Sequence, residues 1–136
     1  MSLYILDSNV LSDLLKSKPD VNVSNQLVLH RHDTLCLCDA VDYEIRRGYI
    51  RIGATARLTY YQNIMRRRFE WTPVNEQDWQ IAAQLWASTS GTTNRLSDID
   101  LLVAALAQRL GGILVSSDDD FDSLPVRREN WRVPAL

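Results

Sequence analysis

The stretch SDIDLLVAALAQRLGGILVSSD, residues 97–118, decides the fold. Ser97 is a helix-start residue, and the unbroken apolar run from Leu101 to Ala107 predicts the most buried helix of the chain, over 101–110. Gly111 and Gly112 end that helix, Ile113 to Ser116 reads as a buried strand, and an acidic loop runs from Asp118 to Asp122. A buried helix feeding a short buried strand is half of a βαβ unit, so the neighbouring segments should alternate in the same way.

They do. A last strand is expected over 130–133, and a clear loop spans 88–95, around Gly91 and two threonines. Upstream, Asn75 opens a helix carrying Trp79, Ala82, Ala83 and Trp86, and a brief extended segment covers 71–74. A basic helix is expected over 54–69 with Leu58, Tyr61, Ile64 and Met65 as its apolar stripe, and Asp39 caps a helix with Val41, Ile45 and Tyr49. Further back lie a strand at 35–38, a helix from Pro19 to about His30, and a first unit in which strand 3–6 turns at Asp7-Ser8-Asn9 into a helix with Val10, Leu11, Leu14 and Leu15. Alternating strands and helices predict an α/β fold with a right-handed parallel sheet covered on both faces.

With 136 residues, 46% hydrophobic and 24% charged, the chain suits one domain, 1–136, able to bury about two-thirds of the surface its unfolded form exposes. No apolar run approaches the roughly 20 residues that cross a bilayer, and no basic-then-apolar leader opens the sequence, so a cytoplasmic protein without membrane contact is expected. Cys36 and Cys38 alternate onto one face of a strand and read as small buried thiols, because no second Cys pair or nearby His completes a ligand set. The net charge of −2 gives no global attraction for polyanions, yet fifteen basic residues include only Lys16 and Lys18 as lysines, leaving thirteen arginines, the better phosphate forks.

Ligands of open parallel sheets bind beyond the carboxyl ends of the strands. Those positions are acidic here: Asp7 after the first strand, Glu44 in the helix after the second, Asp100 in the first turn of the apolar helix, and Asp118 after the late strand. Singly, each has a structural reading: Asp7 as an N-cap, Asp100 closing a capping box with Ser97, Glu44 and Asp118 as solvated acids. Together they form a problem, since two carboxylates about 4 Å apart repel by roughly 4 kcal/mol at an effective dielectric near 20. Oxygen ligands without clustered His or Cys favour Mg²⁺ or Mn²⁺, and such an ion activates water for phosphodiester hydrolysis. A strand-Asp start also occurs in phosphatases, but that chemistry places a second acid two residues on, where Asn9 stands.

Four motifs resemble the PIN-domain family, in particular VapC-type toxins of bacterial toxin–antitoxin pairs: Leu6-Asp7-Ser8-Asn9, Tyr43-Glu44-Ile45-Arg46-Arg47-Gly48, Asp98-Ile99-Asp100-Leu101-Leu102, and Leu114-Val115-Ser116-Ser117-Asp118 leading to Asp120-Phe121. The resemblance implies a three-layer fold with about five parallel strands, a metal-dependent ribonuclease with Asp7, Glu44, Asp100 and Asp118 as metal-holding catalytic acids, and Ser8, Asn9 and Ser116 in support. It further implies an RNA substrate, an antitoxin partner and a homodimer. Asp120 competes with Asp118 for the fourth position and Asp98 with Asp100, although a two-residue helical offset turns Asp98 away. Arg46 and Arg47 are the arginines closest in sequence to Glu44 and are expected to meet substrate or acids. Tyr60 and Tyr61 are the aromatic candidates for RNA contact, whereas Trp79 and Trp86 read as a core or dimer stripe. The rival function is an inactive PIN-like module that works by binding protein.

Overall fold

A computed structural model describes residues 2–93 and 95–134. Five strands, β1 (Leu3–Leu6), β2 (Thr34–Leu37), β3 (Glu70–Trp71), β4 (Ile113–Val115) and β5 (Arg127–Glu129), form one all-parallel sheet in the order β3-β2-β1-β4-β5. Six α-helices flank it: α1 (Ser8–Leu14), α2 (Val21–Leu29), α3 (Asp39–Arg51), α4 (Thr55–Tyr60), α5 (Glu76–Thr89) and α6 (Asp98–Leu110). The chain builds outward from β1 to β3 on one side and returns to lay β4 on the other. The order therefore reverses between β1 and β4, where the crevice beyond the strand ends opens.

The residues chosen by hydrophobic pattern hold the centre. Ile5, Leu6, Leu114 and Val115 are fully buried, and every residue from Leu101 to Ala107 in α6 is buried. Gly111 caps α6 in the left-handed conformation at φ 62°, which glycine adopts without a Cβ clash. Cys36 and Cys38 are free and buried, and burial pushes the Cys38 thiol up to about 12. Among the described residues no helix is long and apolar enough to cross a membrane.

Five local expectations are corrected. The last strand is Arg127–Glu129, not 130–133: Arg127 to Glu129 pair with Ile113 to Val115, while Trp131 leaves the ladder to bury itself against Tyr4 and His30, its ring stacked on the imidazole at 5.1 Å. The third strand ends at Trp71, not 74, because after Thr72 donates to the Leu37 carbonyl, the Val74 N–H is taken by the Asp39 carboxylate. That same carboxylate accepts from Ala40, but Asp39 is the first residue of α3 and Cys38 is its cap. The helix expected over 54–69 stays α-helical only to Tyr60 and continues as a π-turn (Tyr61–Met65) and a 3₁₀ turn (Arg66–Arg68). The π-turn seats Tyr61 in the core, where its hydroxyl donates to Asp42 at 2.6 Å, and leaves Ile64 exposed instead of completing the apolar stripe. The loop expected over 88–95 begins only after α5 ends at Thr89, and its Asn94 lies outside the described residues.

Buried acids fasten the periphery. Asp78, fully buried in α5, takes a bidentate pair from Arg109 of α6 at 2.6 and 3.0 Å and also closes a capping box with Asn75. Asp13 in α1, 1% exposed, accepts two hydrogen bonds from Arg132 and one ion pair from Lys16.

Candidate active site

Asp7 leaves β1 at the order-reversal point and caps α1 with extended backbone angles. Its N–H still belongs to the ladder, donating to the Val115 carbonyl, so its Cα is fixed by the sheet. Its side chain, 3% exposed, accepts from the Ser8 N–H at Oδ1 (2.8 Å) and, at Oδ2, from the Ser116 hydroxyl (2.8 Å) and the Asn9 amide (3.2 Å). Burial pushes its pKa up to about 6; the charges of Asp100 and Glu44 add to the rise, and the bonds from Ser116 and Ser8 offset part of it.

Asp100 sits in the first turn of α6, where Ser97 and Asp100 close the expected capping box at 3.0 and 3.2 Å. Partial burial raises its pKa, and the negative charges of Glu44 and Asp118 raise it further. Asp118 follows β4, caps the 3₁₀ turn Asp119–Ser123, accepts from the Asp120 N–H and donates its own N–H to Ser116 Oγ at 3.1 Å. Glu44, on α3, lines a depression of about 170 Å³ with Ser8, Ser12, Ile45, Gly48, Tyr49 and Ile52.

The fold thus places Glu44 and Asp100 within electrostatic reach of Asp7, and Glu44 and Asp118 within reach of Asp100. As a set they are not in mutual contact: among the described residues, only Asp118, Asp119 and Asp120 offer three ligand oxygens all within 4.8 Å of one another. Asp98 is exposed on α6 and lines the cavity beside Trp79 and Leu102.

The arginines sort differently from their sequence order. Arg46 is turned away, donating to Asp42 (2.8 Å) and Gln62 (2.9 Å) in the network that holds Tyr61. Arg47 is the one beside a candidate site acid, 3.7 Å from Glu44, with its guanidinium 5.0 Å from the Tyr43 ring centre. Arg128 was not among the residues expected at the site. From β5 it donates to the Ser116 carbonyl at 3.0 Å and forms a fork with Asp122 at 2.8 and 2.9 Å, holding the acidic turn against the strand. Placing the last strand at 130–133 hid it; a strand register starting at Arg127 would have put its side chain beside the loop.

Two aromatic expectations change. Tyr61 is fully buried and unavailable to any ligand, while Tyr60 is exposed. Trp79 and Trp86 are 58% and 59% exposed, so they are not core residues. Ser8 meets Asp7 through its backbone N–H, and the hydroxyl that does so is Ser116's.

The buried acid fits a hard cation. Asp7 is served by three neutral donors, and among the described residues neither Asp7, Asp100 nor Asp118 has an ion-pair partner. All four candidate donors are carboxylates, the ligand type of Mg²⁺ and Mn²⁺. His30 is committed elsewhere, its Nδ1 bonded to Asp33 and its ring packed on Trp131.

The PIN domain family model matches residues 4–126. No curated protein sequence matches the chain. Among solved structures, VapBC2 of Rickettsia felis, bound to a DNA fragment from its promoter, superposes with a TM-score of 0.84 at 21% identity, covering 95% of this chain and 98% of that one. DNA-bound VapBC of Salmonella typhimurium gives 0.82 at 20% identity, covering 96% and 99%. VapC20 of Mycobacterium tuberculosis, a Sarcin-Ricin loop cleaving toxin, gives 0.64 at 17% identity, covering 91% and 98%.

Proposed function

The chain belongs to the PIN domain family, and from that premise we propose that it is an endoribonuclease that holds Mg²⁺ or Mn²⁺ with Asp7, Glu44, Asp100 and Asp118 and acts as the toxin of a toxin–antitoxin pair. The observation that carries this reading is Asp7: a carboxylate buried at the sheet's order-reversal point, near further acids and bonded to neutral donors, with no ion-pair partner among the described residues. The bound ion would supply an activated water and neutralise charge developing on the phosphate oxygens. The chain's own groups do the rest. Asp7 is fixed by strand, helix cap and hydrogen bonds; Asp100 is held by its capping box; Ser116 ties Asp118 to Asp7; Arg47 at the rim offers a fork to the RNA backbone.

An antitoxin partner is supported by the VapBC complexes whose toxin-like chains share this fold, and cleavage of RNA by the likeness to VapC20, a Sarcin-Ricin loop cleaving toxin. The whole of 1–136 acts as one domain in this reading, in the cytoplasm. The test is total RNA digested in Mg²⁺ or Mn²⁺. Cutting is expected with either ion and is abolished by EDTA; cutting that survives EDTA would remove the metal, and no cutting in any ion would leave the binding-module reading in its place.

Homodimerisation is supported by Trp79 and Trp86, which share one face of α5 and edge a shallow cavity of about 490 Å³ with Ala82, Ala83, Leu101 and Leu102. Aromatic side chains are enriched in such interfaces. Trp79→Ser with Trp86→Ser is expected to convert a dimer to a monomer in sedimentation velocity with little loss of protomer stability, since neither ring is core. An unchanged sedimentation coefficient would place the contact on another face.

A further inference from the structure

Resting on the metal-dependent reading above, we propose that Asn9, acting with Ser116, is a positioning residue that leaves Asp7 a single open lone pair, on Oδ1, with which to meet the cation.

The hydrogen bonds determine their own directions. The Ser117 N–H donates to Asn9 Oδ1 at 3.2 Å, so the amide cannot be reversed without setting its NH₂ against another donor. An Asn9 N–H then points inward and is shared between Asp7 Oδ2 at 3.2 Å and Ser116 Oγ at 2.9 Å. Ser116 Oγ accepts that bond and a second from the Asp118 N–H at 3.1 Å, which fills its two lone pairs and sends its only proton to Asp7 Oδ2 at 2.8 Å. Oδ2 is therefore saturated by two donors. Oδ1 accepts one bond, from the Ser8 N–H at 2.8 Å. A carboxylate has about four lone-pair positions, so three are filled and the one left belongs to Oδ1.

The ring is anchored on both sides. Ser116 donates its N–H to the Glu129 carbonyl and has its own carbonyl held by Arg128, while Asp7 stays in the β1–β4 ladder. Turning the Asp7 carboxylate breaks three hydrogen bonds at once. Outer partners of this kind fix the orientation of metal-binding side chains and strengthen binding without touching the ion.

The experiment measures Mn²⁺ binding to the intact chain by electron paramagnetic resonance, beside steady-state RNA cleavage and thermal unfolding in EDTA. Asn9→Ala is expected to weaken Mn²⁺ binding by about tenfold to a hundredfold and to lower kcat at saturating Mn²⁺ while KM for RNA holds. Ser116→Ala removes the proton donor but keeps the amide; it is expected to act in the same sense and serves if Asn9→Ala does not fold. A purely structural role would lower the melting temperature and leave the Mn²⁺ dissociation constant of the folded protein alone. Native binding with both variants equally tight overturns this inference and spares the metal-dependent reading; a native chain that binds no Mn²⁺ overturns both.

Discussion

Asp7→Asn is expected to abolish RNA cleavage, by a factor of about a thousand or more, and to make the metal-free protein more stable at neutral pH. The first effect follows from removing the charge of the most buried acid in the site, the one carboxylate that every neighbouring hydrogen bond is arranged to hold. The second follows from linkage. The Asp7 carboxyl has a folded-state pKa near 6 against an ordinary 3.8. Between those values the folded chain keeps a proton that the unfolded chain has released. Native stability therefore falls as pH rises from about 4 to about 6, and the full cost persists above that window. Two pKa units correspond to about 3 kcal/mol. Asparagine escapes that cost, but it gives up the acceptor for the Ser8 N–H, worth about 1 kcal/mol, so a net gain of about 1–2 kcal/mol remains at pH 7–8. Near pH 4, where the native carboxyl is already neutral, the advantage should vanish. Urea denaturation of both proteins in EDTA at pH 4, 5.5, 7 and 8 gives the comparison. Parallel stability curves would show that Asp7 is ordinary in its ionisation. Adding Mn²⁺ should reverse the order at pH 7, because only the native site gains by mass action.

Arg109→Ala is expected to cost about 3–5 kcal/mol, a large fraction of the 5–15 kcal/mol that hold a domain of this kind together. The loss comes chiefly from Asp78, which has no solvent exposure and would be left without its bidentate guanidinium partner. Replacing both members, Asp78→Leu with Arg109→Leu, should recover much of that loss, since an apolar pair needs no compensation. Recovery will be incomplete because Asp78 also accepts from the Asn75 N–H in the capping box of α5. Chemical denaturation of the two singles and the double yields the coupling directly. An Arg109→Ala protein as stable as the native one would mean that water reaches Asp78.

The central half of the fold was legible because burial wrote it into the sequence. Strands β1 and β4 and the buried run Leu101 to Ala107 of helix α6 are apolar throughout, as segments covered on all sides must be. The edge strands were not, for the complementary reason: Glu70–Trp71 and Arg127–Glu129 lie partly in solvent, so hydrophobic pattern neither selects them nor fixes their ends. The π-turn was invisible because Tyr61 and Met65 suit an ordinary helical stripe as well. At the site, the sequence placed Asp7 and Asp118 after strands and Glu44 and Asp100 in the early turns of helices, and those positions follow from the element order alone. Arg46 and Arg47 are adjacent residues about 100° apart on α3, and which one shares Glu44's surroundings depends on what packs against the opposite face, namely Asp42 and the buried Tyr61. Trp79 and Trp86 share a face in any helix; whether a neighbour covers that face is a tertiary fact.

The bonds that set Asp7, Asn9 to Ser116 and Ser117 to Asn9, join positions 107 and 108 residues apart. During synthesis the amino-terminal third leaves the ribosome long before its counterpart exists, and such distant pairings form late because the intervening chain must first be ordered. No nascent fragment ending short of residue 118 contains all four acids. If the proposed ribonuclease reading holds, cutting has to wait for the synthesis of Asp118, and a product truncated before that residue lacks the fourth acid.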